Sequence, residues 1–197
     1  NFAIAYKNLG RAYLGQGKFE KALENLKKSY RLDPRDPYTL IVGYLAYIYK
    51  GDETKAKAMY ETVLGLSPDK TVAHTDFGYE LWRYGEYKRA IEELQKAFDV
   101  ESEHPKHADA WYWMGNAYRD LGNYDQALYC YGKTVEKRKD YSQALHESAR
   151  IFALRGEKEK ALEYIDRAVK ATSYRECARF FDLPEDDPLA PYRDEIM

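Results

Sequence analysis

Residues 111–131, WYWMGNAYRDLGNYDQALYCY, contain the pattern that decides the fold of this chain. Apolar residues recur at intervals of three and four on both sides of Gly122, which is the spacing that one face of an α-helix requires. Gly122 can adopt the left-handed backbone that ends a helix, and Ala127 is small enough for two helices to approach closely. The stretch therefore predicts a pair of helices joined by a short turn.

The same pattern recurs along the chain. The turn glycine returns at intervals of 34, 34, 37 and 34 residues, at Gly17, Gly51, Gly85, Gly122 and Gly156. The alanine that follows keeps the same register, at Ala22, Ala56, Ala90, Ala127 and Ala161. Each period therefore encodes one helix pair, and because a single pair cannot bury its apolar stripe alone, stacked pairs must share a core.

Around residue 111 the sequence resembles the tetratricopeptide repeat family, whose pattern is W-x2-L-G-x2-Y…A-x3-F. The matching residues are Trp111, Met114, Gly115, Tyr118, Ala127 and Tyr131. The resemblance implies an all-α fold, a right-handed α-solenoid of about five helix-turn-helix repeats whose first helices line the concave side. The array is expected over residues 1–173, with repeats at residues 3–36, 37–70, 71–107, 108–141 and 142–175.

Three departures from the repeat pattern carry predictions. Tyr44 stands where the other pairs have Gly10, Gly78 and Gly115, so the second pair should pack differently. The interval of 37 residues indicates an insertion around Glu101 to Glu103, which is expected to lengthen the second helix of the third pair by about one turn. Residues 174–197 leave the period and are interpreted as a C-terminal cap that covers the open end of the stack. Their apolar residues are Phe180, Phe181, Leu183, Leu189, Tyr192 and Ile196.

Composition narrows the function classes. Lys and Arg total 31 against 33 Asp and Glu, so the chain lacks the positive field that nucleic acid binding uses. The longest nearly continuous apolar run, Tyr38 to Tyr49, is too short to span a bilayer. Cys130 and Cys177 show no paired spacing, which argues against a disulfide framework and favours a cytoplasmic location. We expect no partnership with nucleic acid or membranes.

Catalytic and metal-binding patterns are not evident in the sequence. There is no phosphate loop, nucleophile elbow or paired-carboxylate motif. His104 and His107 flank Pro105 in a spacing that matches no known zinc site, and we interpret them as part of a solvated connection. We therefore expect no metal, no cofactor and no enzymatic activity.

The candidate binding residues follow from helical spacing within each first helix. Repeat positions 5, 9 and 12 form one stripe that is offset from the packing stripe. The candidates are Lys7, Arg11, Ile41, Leu45, Tyr79, Trp82, Tyr112, Asn116, Arg119, His146 and Arg150. Together they predict a concave site for a peptide or protein partner.

The character of the partner follows from the order of these residues. Apolar or aromatic anchors are expected over Ile41, Leu45, Tyr79 and Trp82. Acidic groups, or a terminal carboxylate, are expected at the two cationic ends, at Lys7 and Arg11 or at Arg119 and Arg150. Carboxylates at flanking positions are alternative partners for the arginines.

Two other functions remain open at the level of the sequence. The helix from Tyr38 to Tyr49 is apolar on nearly every side, so it is either fully buried or presents an apolar patch. In the second case the chain would be a self-assembling structural protein, a homo-oligomer formed through the second repeat or the C-terminal tail. The third possibility is a regulatory repeat domain of a larger protein whose catalytic part lies elsewhere.

Overall fold

The computed structural model describes residues 2–101, 103–171 and 184–192. These residues form ten α-helices and one short 3₁₀-helix, Ala190–Tyr192, and among them there is no β-strand. The helices are α1 (Phe2–Gly15), α2 (Phe19–Leu32), α3 (Pro37–Lys50), α4 (Glu53–Leu66), α5 (Lys70–Arg83), α6 (Tyr87–Val100), α7 (His107–Asp120), α8 (Tyr124–Lys137), α9 (Ser142–Leu154) and α10 (Lys158–Lys170). The all-α fold of consecutive helix pairs is confirmed.

The chain divides into two compact units. Unit 1 extends over Asn1–Ser102 and contains three helix pairs, α1 to α6. Unit 2 extends over Glu103–Met197 and contains the pairs α7–α8 and α9–α10. Within unit 1, α2 packs on α3, and α3 also contacts α1 and α5. Within unit 2, α8 packs on α9.

Glycine and alanine build each pair as the sequence predicts. All five turn glycines have positive φ, between 70° and 79°, and each of them ends a first helix. The five alanines of the second series are at most 1% exposed. In three of the pairs a glycine on the first helix lets the second helix approach closely, because a Cβ at Gly78 would lie 2.3 Å from the Cγ of Leu94.

The second pair packs differently, which confirms the departure predicted at Tyr44. The Tyr44 ring contacts Tyr60 of α4 at a centroid distance of 6.2 Å and Phe77 of α5 at 5.5 Å. Most of α3 is buried, which resolves the alternatives for this apolar helix in favour of burial. Its buried residues are Thr39, Leu40, Ile41, Val42, Gly43, Leu45, Ala46 and Tyr47.

The prediction that the insertion lengthens a helix is wrong. Helix α6 ends at Val100 and has 14 residues, the same length as α2, α4 and α8. Glu101 has an extended backbone, with φ −147° and ψ 138°, and Pro105 follows in the connection. The extra residues therefore lengthen the link between α6 and α7.

Part of the tail packs on the last helix pair. Leu189 is fully buried against a cluster that includes Leu145, Ala149 and Ile165. This contact agrees with a capping role for residues 184–192. Residues 174–183 and 193–197 lie outside the described part of the chain, so the extent of the cap stays a prediction.

Glu93 of α6 is a buried carboxylate that receives three hydrogen bonds. The donors are His74 Nδ1 at 2.6 Å, Lys96 Nζ at 2.8 Å and the Tyr60 hydroxyl at 3.0 Å. Burial by itself would raise the pKa of Glu93, but hydrogen bonds from His74 and Lys96 outweigh it and leave the pKa below its ordinary value. The charged form of Glu93 is therefore part of the folded structure.

Replacing Glu93 with Gln should lower the free energy of unfolding at neutral pH by roughly 1 kcal/mol, since the donors lose a charged acceptor. The difference in free energy of unfolding between wild type and variant should have its whole value above pH 4.5, the ordinary pKa of a glutamate. It should vanish as the pH falls through the lower pKa that Glu93 has in the folded state. Urea unfolding over a pH series measures it, with the exposed neighbour Glu92→Gln as the control. A difference that persists in acid would contradict this assignment.

Candidate functional site

The eleven predicted residues lie on the first helices of all five pairs, and we call them the first-helix surface. In unit 1 they come from α1, α3 and α5, and in unit 2 from α7 and α9. Eight of the eleven are partly exposed. They are Lys7, Arg11, Tyr79, Trp82, Tyr112, Arg119, His146 and Arg150. The remaining three are buried.

Ile41 and Leu45 require a correction. Both side chains are 0% exposed, so the prediction that ligand anchors contact them directly is wrong for this structure. Ile41 belongs to the core cluster of unit 1 with Val63 and Phe77. Helix α3 contacts α1, α2, α4 and α5, and at Ile41 and Leu45 its stripe is covered.

Asn116 is also buried, at 2% exposure, and its side chain is hydrogen-bonded within the chain. The Tyr131 hydroxyl donates a hydrogen bond of 2.7 Å to Asn116 Oδ1. This bond satisfies the buried Tyr131 oxygen, and burial raises the pKa of that phenol. Asn116 therefore positions α8 against α7, and the prediction that it faces a partner is corrected.

An ion pair connects the outer first helices of unit 1. Arg11 of α1 donates to Glu80 of α5, with Nη2 3.2 Å from Oε2, and Arg83 reaches the other oxygen of Glu80 at 3.2 Å. Glu80 is only 1% exposed. The pair thus joins α1 and α5, both of which also contact α3.

The other predicted cations also contact carboxylates of the chain itself. Lys7 Nζ lies 2.9 Å from Asp36 Oδ2. In unit 2, Arg119 pairs with Glu147 at 2.6 Å, and Arg150 Nε lies 3.2 Å from Asp187 of the tail segment. These pairs are the alternative that the sequence left open. A partner's carboxylate would have to displace one of them.

Aromatic side chains form the rest of the surface. Tyr79 and Trp82 of α5 stack at a centroid distance of 6.1 Å and an interplanar angle of 30°. The Arg83 guanidinium lies 5.5 Å from the Tyr79 ring. In unit 2, Tyr112 packs against Tyr141 at 4.9 Å. Such rings offer large apolar contact areas with polar edges, which suits recognition of a peptide.

His146 and Cys130 show little sign of reactivity. Burial lowers the pKa of His146, which favours the neutral imidazole near neutral pH. Burial raises the pKa of the Cys130 thiol to about 12, so it is not a poised nucleophile. Throughout the described ranges, no three His, Cys, Asp or Glu residues are placed to hold a metal ion, and no helix is long and apolar enough to cross a membrane.

Glu80 is the residue that sequence reasoning missed. It is adjacent to a stripe position and has Arg83 three residues later, which is a detectable local pair. Its contact with Arg11, however, joins residues 69 positions apart, and no local spacing predicts such a contact.

Comparison with known proteins identifies the family. Two family models, both described as tetratricopeptide repeat, match the chain at residues 3–36, 43–70 and 108–141. These three stretches of the chain are tetratricopeptide repeats. Proteins of this family generally mediate protein–protein interactions and are generally non-catalytic.

Curated relatives of this tetratricopeptide repeat chain are longer than the chain itself. Anaphase-promoting complex subunit 3 of Schizosaccharomyces pombe is 26% identical over 82% of this chain and 25% of its own length. The tetratricopeptide repeat-containing protein trd-1 of Caenorhabditis elegans is 28% identical over 70% of this chain and 17% of its own length. The chain thus spans a quarter or less of these two relatives.

Solved structures share the fold. The pilF protein of Pseudomonas aeruginosa has a TM-score of 0.59 at 18% identity, covering 98% of this chain and 86% of its own. YrrB, described as a tetratricopeptide repeat protein with an unusual peptide-binding site, has a TM-score of 0.52 at 22% identity, covering 92% of each chain. At these identities the likeness concerns the fold.

Proposed function

We propose that this chain is an interaction scaffold that binds a peptide or protein partner on the first-helix surface, mainly through aromatic and apolar contacts. The observation that carries the proposal is the stacked, half-exposed pair Tyr79 and Trp82 beside Arg83. An apolar side chain of the partner would lie against these rings. Aromatic and Arg residues are enriched among the residues that dominate binding energy at protein interfaces.

Ionic contacts have a secondary role in this proposal. Each cation that the sequence suggested for acidic groups already contacts an internal carboxylate, and the partner of Arg11 is almost completely buried. A partner's carboxylate would therefore exchange for an existing ion pair and add little net energy. We expect binding at this surface to depend only weakly on ionic strength.

Similarity gives general support to this proposal. The family generally mediates protein–protein interactions, and YrrB, with the same fold, is described as having a peptide-binding site. The position of the site on this chain and the class of its partner rest on the residues above.

The test is a selection of random dodecapeptides displayed on phage against the wild-type chain. Peptides that bind the first-helix surface should lose about tenfold or more in affinity for the Tyr79→Ala/Trp82→Ala variant. The matched control is Tyr129→Ala/Leu121→Ala, since both residues are more than 40% exposed and lie outside this surface. Isothermal titration calorimetry gives the affinities, and circular dichroism checks that each variant is folded. Equal binding of all selected peptides to both variants would refute the proposal.

The self-assembly alternative receives less support from the structure. Helix α3, which was to provide the apolar patch, is mostly buried within unit 1. The described tail segment packs Leu189 into unit 2. Within the described residues, the buried side chains of α3 and the buried Leu189 are not available to a second copy, so the interaction scaffold is the function that the geometry favours.

A further inference from the structure

The second helix pair is held apart at the position where other pairs touch. In the first, third and fourth pairs a glycine brings the two helices together, and a Cβ there would lie within 3 Å of a side chain of the second helix. In the second pair this position is Tyr44, whose ring contacts Tyr60 of α4. The contact between α3 and α4 is accordingly the least extensive of the five pairs. The large ring therefore leaves space beside α4.

The same helix pair borders a cleft between α2, α3 and α4, which we call the α2–α4 cleft. It has a volume of about 230 Å³, and its floor is mainly apolar. The floor includes Leu23, Leu26, Leu40, Gly43, Tyr47 and Met59. A cavity of about 150 Å³ already accommodates a benzene ring, so this cleft has room for one large apolar side chain.

Two cations stand at the rim of this cleft. Lys27 and Arg31 are one turn apart on α2, and both are exposed. Within the described residues neither side chain forms a hydrogen bond or an ion pair, whereas the nearby Glu24 pairs with Lys28 at 2.8 Å. In this respect they differ from Lys7, Arg11, Arg119 and Arg150, all of which are already paired.

We propose that the α2–α4 cleft is a second protein-interaction site, which binds an acidic peptide segment carrying one large apolar side chain. The apolar side chain enters between α2 and α4 over Gly43, where the absence of a side chain leaves the floor open. Flanking Asp or Glu residues meet Lys27 and Arg31. These cations have no internal carboxylate to exchange, so charge complementarity contributes here directly and is reduced by salt.

The experiment isolates this cleft from the first-helix surface. Random dodecapeptides displayed on phage are selected against the full chain carrying Tyr79→Ala/Trp82→Ala. The enriched peptides should combine a large aliphatic or aromatic residue with neighbouring Asp or Glu. In fluorescence polarisation their affinity should fall about tenfold for added Lys27→Glu/Arg31→Glu. It should also fall for added Thr62→Trp, because Thr62 is exposed and lines the cleft, so that an indole would fill it.

The matched control is Lys21→Glu/Lys88→Glu, which changes the net charge equally at two exposed positions outside the cleft. This control should keep the affinity within about twofold and should keep its salt dependence. The proposal is overturned if no peptide is enriched. It is equally overturned if the enriched peptides lack acidic residues, or if they bind the cleft variants as tightly as the control.

Discussion

Replacing Phe77 with Ala is expected to lower the free energy of unfolding by about 3–5 kcal/mol. Phe77 is 0% exposed, and its ring packs on Tyr44 at 5.5 Å and on Tyr60 at 5.0 Å. The substitution removes the ring that joins the third pair to the second, and the closely packed helices around it cannot collapse to fill the cavity.

The same substitution at Phe2 is the control, since this side chain is 79% exposed. Phe2→Ala should change the free energy of unfolding by no more than about 0.5 kcal/mol. Urea titrations followed by circular dichroism give both values. Equal losses for the two variants would show that Phe77 is not a central contact between the second and third pairs.

The sequence predicts those features of the fold that depend on local spacing. The turn glycines and the small alanines recur in one register, and each has a steric reason that acts within a single pair. The helix pairs and the departure at Tyr44 could therefore be predicted without a structure. The structure of the insertion was predicted wrongly, because a count of residues does not say whether the extra residues extend a helix or the connection that follows it.

The candidate site could be predicted only in part, because the exposure of a stripe depends on distant residues. Helical spacing places Ile41 and Leu45 on the same stripe as Tyr79 and Trp82. It does not show that Arg11 meets Glu80, or that neighbouring helices cover α3. Whether a cation is available to a partner is also a tertiary property. The paired Arg11 and the unpaired Lys27 look equally accessible in the sequence.

Replacing Gly78 with Ala should cost about 1–3 kcal/mol, although alanine is the better helix former. The new Cβ would lie 2.3 Å from Leu94 Cγ and 2.6 Å from Leu94 Cδ2, and Leu94 is fully buried and has no room to move away. The overpacking should exceed the gain in helix propensity, which is about 1 kcal/mol.

Gly43→Ala is the matched substitution in the second pair, and we expect the opposite sign. Gly43 also lies inside a helix with an ordinary φ, but a Cβ there would meet only Met59 Sδ, at the comfortable distance of 3.7 Å. Helix propensity should then dominate and raise the free energy of unfolding by about 0.5–1 kcal/mol.

Thermal and urea unfolding of Gly78→Ala and Gly43→Ala give the sign of the change in stability for each variant. Opposite signs would follow only if the first helix approaches the second closely in the third pair and stands apart from it in the second. A loss of stability for both variants would mean that α3 and α4 pack as tightly as α5 and α6, and the α2–α4 cleft would then lack its structural basis.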